Sequence, residues 1–286
     1  MAHSIAALPT PVRRLGSPER GRRRVSRGQR EILERGLSDR EWAILRDIDR
    51  FRFLTSRQIE RLHFIHITTP TAAARICGRV LKLLYSYRVI DHLDRRVGGI
   101  RAGSASYVWL VGPVGERLLR ADDDIRIRRK EPSLHFMRHC LAIADCAIAL
   151  GDVAKAGLFE LQTVETEPKC WRRYMSRAGA IETVKPDLRV VTAQGEYEDS
   201  WFIEIDRGTE SMPTLIKQCR QYLAYRQTGQ EQAERGVFPA VLWVLPDDRR
   251  LERLRAAMDA ARGFNASIFR LSTADHVAET VAGGAG

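Results

Sequence analysis

Asp187, Glu204 and Asp206 are the residues of this 286-residue chain whose types and spacing could carry out a reaction. Asp187 follows Lys185-Pro186 just ahead of an apolar run, and Glu204-Ile205-Asp206 closes the next such run. In a β-strand, residues i and i+2 point to the same side. Glu204 and Asp206 therefore share a face, and a neighbouring strand can bring Asp187 beside them. Three carboxylates converging on one spot repel one another unless a cation sits between them. Mg²⁺ suits such oxygen ligands and serves phosphodiester hydrolysis, so Asp187 and Glu204 are candidate metal ligands and Mg²⁺ the candidate cofactor. The alternative is a sheet that keeps these acids for structural reasons alone.

A second constellation is cationic. Thr71, Arg75, Arg79 and Lys82 recur at spacings of 4, 4 and 3, which puts them on one side of a helix. No Asp or Glu occurs between Arg61 and Ile90. Arginine and lysine on an exposed stripe reach phosphates, and arginine also reaches the O6/N7 edge of guanine. Arg95, Arg96 and Arg101 follow in a Gly-containing connection, where a hairpin would offer them to a neighbouring groove or backbone. The bland reading is a solvated helix face in an Arg-rich protein. Charge distribution argues against it. The net charge is +11, yet residues 1–120 carry +13 and residues 121–286 carry −2. Coding bias can explain why 41 of the 47 basic residues are Arg, but not why only one part of the chain is basic.

The elements that must position these groups are legible in outline. Residues 1–36, with three prolines and an arginine cluster, read as a disordered basic arm. Ser38-Asp39-Arg40-Glu41 is a capping box opening a helix over 38–50. A second helix starts near Thr55 or Ser56. Thr69-Pro70 opens a third, running to about Tyr85 with Ala73, Ile76, Val80, Leu83 and Leu84 turned inward. Strands over 89–94 and 107–111 and a short helix over 113–120 close the unit. Three helices followed by a hairpin is the order of a winged helix-turn-helix, here over 37–120. Residues 121–133 have the charge and proline of a linker.

From 134 to 275 helices and strands alternate, which implies an α/β domain around a mixed sheet. A helix is expected over 134–150 and strands near 157–165, 188–192 and 201–206. An irregular stretch holds Trp171 and Tyr174. A helix over 213–228, a strand over 238–245, a helix over 248–262 and a strand near 267–271 follow, and 276–286 reads as a tail, loose from Ala282 on. The fold class is thus α+β for the winged helix, followed by an α/β domain.

Pro186-Asp187, a strand, and then Glu204 resemble the PD-(D/E)xK nuclease superfamily. The position of that motif's Lys is held here by Asp206, followed by Arg207. The resemblance implies that Lys217, in the next helix, supplies the missing cation and orients the attacking water, with Asp145 as a further acid. Asp187, Glu204, Asp206 and Lys217 are then the catalytic candidates. Taken together, Leu37–Leu45, Phe53–Ile59, the Arg75/Arg79 helix, Tyr107–Leu110 and Glu204–Glu210 resemble the replication-relaxation family, over roughly residues 37–245. That resemblance implies sequence-specific binding of double-stranded DNA at a plasmid or mobile-element origin or transfer site. It leaves open a Mg-dependent endonuclease, and a transcriptional repressor whose second domain makes a homodimer.

Other signals are weaker. His135 and His139 have the spacing of a zinc pair, but no Glu and no third ligand accompany them, so packing or hydrogen bonding is expected. Five scattered cysteines with no CxxC pair point to reduced thiols. Trp171, Tyr174, Tyr222 and Tyr225 read as core or as strand-stacking aromatics. No run of apolar residues is long enough to span a bilayer and no secretory leader is visible, so a cytoplasmic location is expected.

Overall fold

The computed structural model describes residues 27–97, 106–120 and 132–285. The chain divides into two compact units, Met1–Met137 and Arg138–Gly286. Arg101, the arm up to residue 26 and the linker over 121–131 lie outside the described residues.

The first unit opens with α1 (Arg27–Gly36), which corrects the expectation of disorder for its last ten residues. Leu33 is buried, its carbonyl accepts the Leu37 N–H at 2.9 Å, and α1 packs on the later helix at 113–119. One anchored leucine in a run of good helix formers is enough to order the segment. α2 (Asp39–Phe51) starts at the capping box: Ser38 Oγ accepts from Glu41 N, and Glu41 Oε2 accepts from Ser38 N at 2.7 Å. Its buried side is Ile44, Leu45, Ile48 and Phe51.

After β1 (Leu54–Thr55), a second capping box, Thr55 with Gln58, opens α3 (Ser56–His63). Thr69 caps α4 (Pro70–Ser86), whose buried line is Ala73, Cys77, Leu81 and Leu84. Ile76, Val80 and Leu83 are only half-buried, so the apolar stripe is centred one residue further along than expected. β2 (Ile90–Val97) and β3 (Ser106–Val111) join β1 in an antiparallel sheet of order β1-β3-β2. Their pairing slips between Leu93 and Val97, so Arg95 and Arg96 lie within β2 and not in the connection. α5 (Pro113–Leu119) ends the run. Gly115 is required there, because a Cβ would stand 2.1 Å from Val89 O and 2.8 Å from Leu45 Cδ1.

The second unit is built mainly on α6 (Leu134–Lys155), β4 (Glu160–Thr166), β5 (Arg172–Met175), β6 (Ile181–Val184), β7 (Leu188–Gln194) and β8 (Tyr197–Ile205). It continues with α7 (Met212–Thr228), α8 (Gln230–Arg235), β9 (Ala240–Leu245), α9 (Asp248–Ala260), β10 (Phe269–Thr273) and α10 (Val277–Ala282). The main sheet has the order β10-β9-β8-β7-β4; β8, β9 and β10 run parallel to one another, and β7 is antiparallel to both its neighbours, β8 and β4. Every residue of β9 is buried, as expected for a central strand covered on both faces. Phe202, Val241, Trp243 and Leu245 form a core with Leu215, Cys219, Tyr222 and Tyr225 of α7 and Leu254 and Met258 of α9.

Two expectations are corrected here. The stretch around Trp171 and Tyr174 is not irregular, because β5 and β6 pair as a hairpin that turns Tyr174 and Val184 into the core. Residues 277–282, expected as part of a tail, are helical and anchored by buried Val277 and Val281. Tyr222 and Tyr225 are core aromatics as well. The whole is an α+β protein of mixed helices and sheets, with helix–strand alternation in the second unit compatible with an α/β domain.

Candidate functional site

In the first unit, Thr71, Arg75, Arg79 and Lys82 are all exposed on α4, opposite its buried line. Gly78 lies among them, and a Cβ built on it would meet nothing within 4 Å. Among the described residues, no packing therefore calls for a glycine in the middle of this helix. Arg95 and Arg96 have their backbone in β2, and their side chains, like all of Arg101, lie outside the described part.

In the second unit, Asp187 is buried at the entrance to β7 and is clamped to β8. Its N–H donates to Ile203 O at 3.0 Å, and its Oδ2 accepts the Ile205 N–H at 2.7 Å. Its Oδ1 accepts from His139 Nε2 at 2.9 Å. Buried Cys170 donates its Sγ–H to Pro186 O at 2.9 Å, closing the base of the same loop. The bond to Asp187 raises the His139 imidazole above its ordinary value, with burial opposing and the Asp187 and Glu167 charges adding.

Glu204 projects to the α7 side of β8, where Tyr222 OH donates to its Oε1. Burial holds its carboxyl well above the usual carboxylate range, and the Asp187 charge pushes the same way. Glu210 and Glu167 add to this, while the Tyr222 hydrogen bond works against it. Tyr222 is raised in turn by its own burial and by Glu204. Asp187 and Glu204 are thus brought together as two mutually repelling acids.

Asp206 lies one residue past the end of β8 and is turned to another partner. Its Oδ1 accepts the Gly208 N–H at 2.9 Å and its Oδ2 accepts from Arg250 Nε at 2.6 Å. Arg250 also donates from Nη2 to Glu210 O at 2.6 Å. Both oxygens of Asp206 are therefore committed to holding a loop and α9 in place. Lys217 is exposed on α7, five residues before Tyr222 and on a different face of the helix. Asp145 is exposed on α6, six residues past His139 and off its face.

The donor chemistry of Asp187 and Glu204 fits Mg²⁺ in kind, since that ion commonly takes one or two carboxylates and completes its shell with water and phosphate. Among the described residues no three His, Cys, Asp or Glu side chains gather into a metal-holding group. All five cysteines are buried free thiols. Burial pushes Cys77, Cys146, Cys170 and Cys219 up to about 12.

Sequence reasoning did not find the roles of His139 and Arg250. The four-residue His135/His139 spacing drew attention to the right helix, on which His135 is exposed and His139 half-buried. No local signal links His139 to Asp187, or Arg250 to Asp206.

Among the described residues no helix is long and apolar enough to cross a membrane. A search of curated proteins finds no match. The family model for replication-relaxation matches residues 45–241, a span that takes in α4, the hairpin, Asp187 and Glu204. With well over half of its length matched, the chain belongs to the replication-relaxation family.

Proposed function

We propose that the protein is a sequence-specific double-stranded DNA-binding protein of a plasmid or other mobile element, acting in replication, relaxation or mobilisation of that DNA. The first unit acts as a winged helix-turn-helix: α3 and α4 are the helix pair, β2 and β3 the wing, and α4 enters the major groove. The observation that carries the reading is the division of α4 into an exposed side of Thr71, Arg75, Arg79 and Lys82 and a buried side of Ala73, Cys77, Leu81 and Leu84. Each cation neutralises a phosphate and releases a counterion, or, for arginine, pairs with a guanine edge. Family membership supports the setting in replication or relaxation.

The test is a mobility shift on duplex DNA with Arg75, Arg79 and Lys82 all replaced by Ala. Affinity should fall by about two orders of magnitude, and the dependence on salt should flatten. Undiminished binding would remove α4 from the interface. Site selection from random duplexes, mapped to an origin or to a promoter, separates this role from that of a transcriptional repressor. A palindromic site would further require a homodimer.

One observation favours a second reading, a PD-(D/E)xK-like endonuclease. Burial and the Asp187 charge both oppose ionisation of Glu204, and a divalent cation bound by the two carboxylates would relieve that repulsion. When bound, Mg²⁺ would supply a Lewis acid for a phosphodiester and lower the pKa of a coordinated water. The chain's own part would be to hold Asp187 rigid through Ile205 and His139 and Glu204 through Tyr222. Nicking of supercoiled plasmid with Mg²⁺, absent with EDTA and absent in Asp187→Ala, is the outcome this reading requires.

A further inference from the structure

Four rings crowd one face of the β2–β3 hairpin in the first unit. His92 is at the centre, with Tyr107 at 4.7 Å, Tyr85 at 4.8 Å and Trp109 at 5.6 Å between centroids. The register explains the grouping: His92 is directly opposite Trp109, and Tyr107 is two residues before Trp109 on the same face. Tyr85 arrives from the last turn of α4, three residues past Lys82, and so borders the cationic side of that helix. Trp109 is the floor, 6% exposed, with its Nε1–H donated to Ser56 Oγ at 2.8 Å. Tyr85 and Tyr107 form the rim and are 42% and 39% exposed.

The rim rings are held by their neighbours, so little conformational entropy remains to be lost when a ligand stacks on them. Tyr85 lies next to a helix side that carries cations, in a stretch of chain from Arg61 to Ile90 that has no acid; the acids nearest in sequence, Asp91 and Asp94, flank His92 on β2. Cations beside exposed aromatic faces are the pairing that holds single-stranded nucleic acid: charge tracks the backbone and rings stack on bases. A base inside an intact duplex already has both faces covered by its neighbours. Only an unpaired base has a face to offer.

We propose that Tyr85 and Tyr107, backed by His92 and Trp109, stack on an unpaired DNA base, so that the first unit recognises the boundary between duplex and opened DNA. This rests on the duplex-binding reading of α4. The ligand is a duplex with a single-stranded arm or bubble, α4 gripping the paired part and the rings taking the first unpaired base. Stacking tolerates any base, so this contact selects the opened state and leaves sequence selection to α4.

The full chain is compared on a blunt duplex and on a forked duplex of the same sequence that carries 2-aminopurine as the first unpaired base. Wild type should bind the fork more tightly and quench the 2-aminopurine. Tyr85→Leu and Tyr107→Leu, which keep apolar bulk and lose the ring, should each reduce fork affinity about tenfold relative to blunt-duplex affinity, and lose the quench. Tyr85→Phe and Tyr107→Phe should keep both fork affinity and quenching. Arg75→Ala with Arg79→Ala should weaken binding to both DNAs. Wild type that binds blunt duplex with no fork preference, or Leu variants that keep the preference and the quench, would overturn the stacking proposal and leave the α4 reading intact. Wild type that binds neither DNA would sink the α4 reading, and this proposal with it.

Discussion

His139 and Asp187 meet at 2.9 Å, Nε2 to Oδ1, across 48 residues of chain. The hydrogen bond raises the imidazole above its ordinary value of 6.5, against the opposing effect of burial. A base whose folded value is raised contributes stability that is complete below the unfolded value and is lost as pH rises through the folded one. Titration of the His139 ring by NMR should therefore give a midpoint above 6.5. Asp187→Asn should bring that midpoint down. A midpoint unchanged in the variant would mean that Asp187 does not hold the proton on His139.

Glu204 should act on the pH dependence through its own raised carboxyl. Its folded value lies well above the ordinary 4.5, with burial as the main cause and Asp187 next. The folded state then binds a proton that the unfolded state has released, so stability declines as pH climbs above about 4.5 and on through the folded value. Glu204→Gln keeps an acceptor for Tyr222 and removes the ionisation. Urea unfolding should find the variant more stable than wild type at pH above neutral, with the gap closing in acid. Mg²⁺ should stabilise wild type and not this variant if the carboxylate pair holds the ion.

Asp206 and Arg250 should behave as a structural pair. Their side chains are 1% and 10% exposed, and removing one leaves the other charged without its partner in a dry site. Arg250→Met should cost about 3–5 kcal/mol in chemical denaturation. Asp206→Leu combined with Arg250→Met should recover most of that loss, since replacing both charges of a buried pair by apolar groups is commonly close to neutral. If Asp206→Leu alone abolished an activity at unchanged stability, Asp206 would belong to the chemistry after all.

Two glycines should respond in opposite ways to alanine. Gly78→Ala removes backbone freedom from the unfolded helix at a site with open space around it, and should raise stability by about 0.5–1 kcal/mol. The new methyl group would stand among Thr71, Arg75, Arg79 and Lys82, so duplex affinity should drop in the same variant. Gly115→Ala forces a methyl group against Val89 O and Leu45, and should destabilise by about 1–3 kcal/mol or more. A Gly78→Ala variant that bound duplex as well as wild type would show that the helix does not approach DNA at that point.

Local signals carried the helices well. The Ser38/Glu41 box, the Thr55 cap and Thr69-Pro70 each mark a helix start within a residue or two, because a cap needs only residues adjacent in the chain. The β5–β6 hairpin escaped because two strands of four residues are too short to show a period, and their pairing is decided by Tyr174 and Val184 packing into a distant core. α1 and α10 escaped for a related reason. Each is held by one or two buried side chains, Leu33 in the first and Val277 and Val281 in the second, which composition alone does not single out.

By itself the sequence determined the cationic side of α4 and the order of most helices and strands, set by helical or extended periodicity within a short stretch. Only the tertiary structure decided which acid met which partner: Asp187 took His139, Glu204 took Tyr222, Asp206 took Arg250, and Lys217 was left facing outward. Periodicity fixes the direction in which a side chain leaves its own element. What it meets depends on how sheet and helices stack, a choice made by the burial of the surrounding apolar side chains and by the cost of leaving a buried charge without a partner.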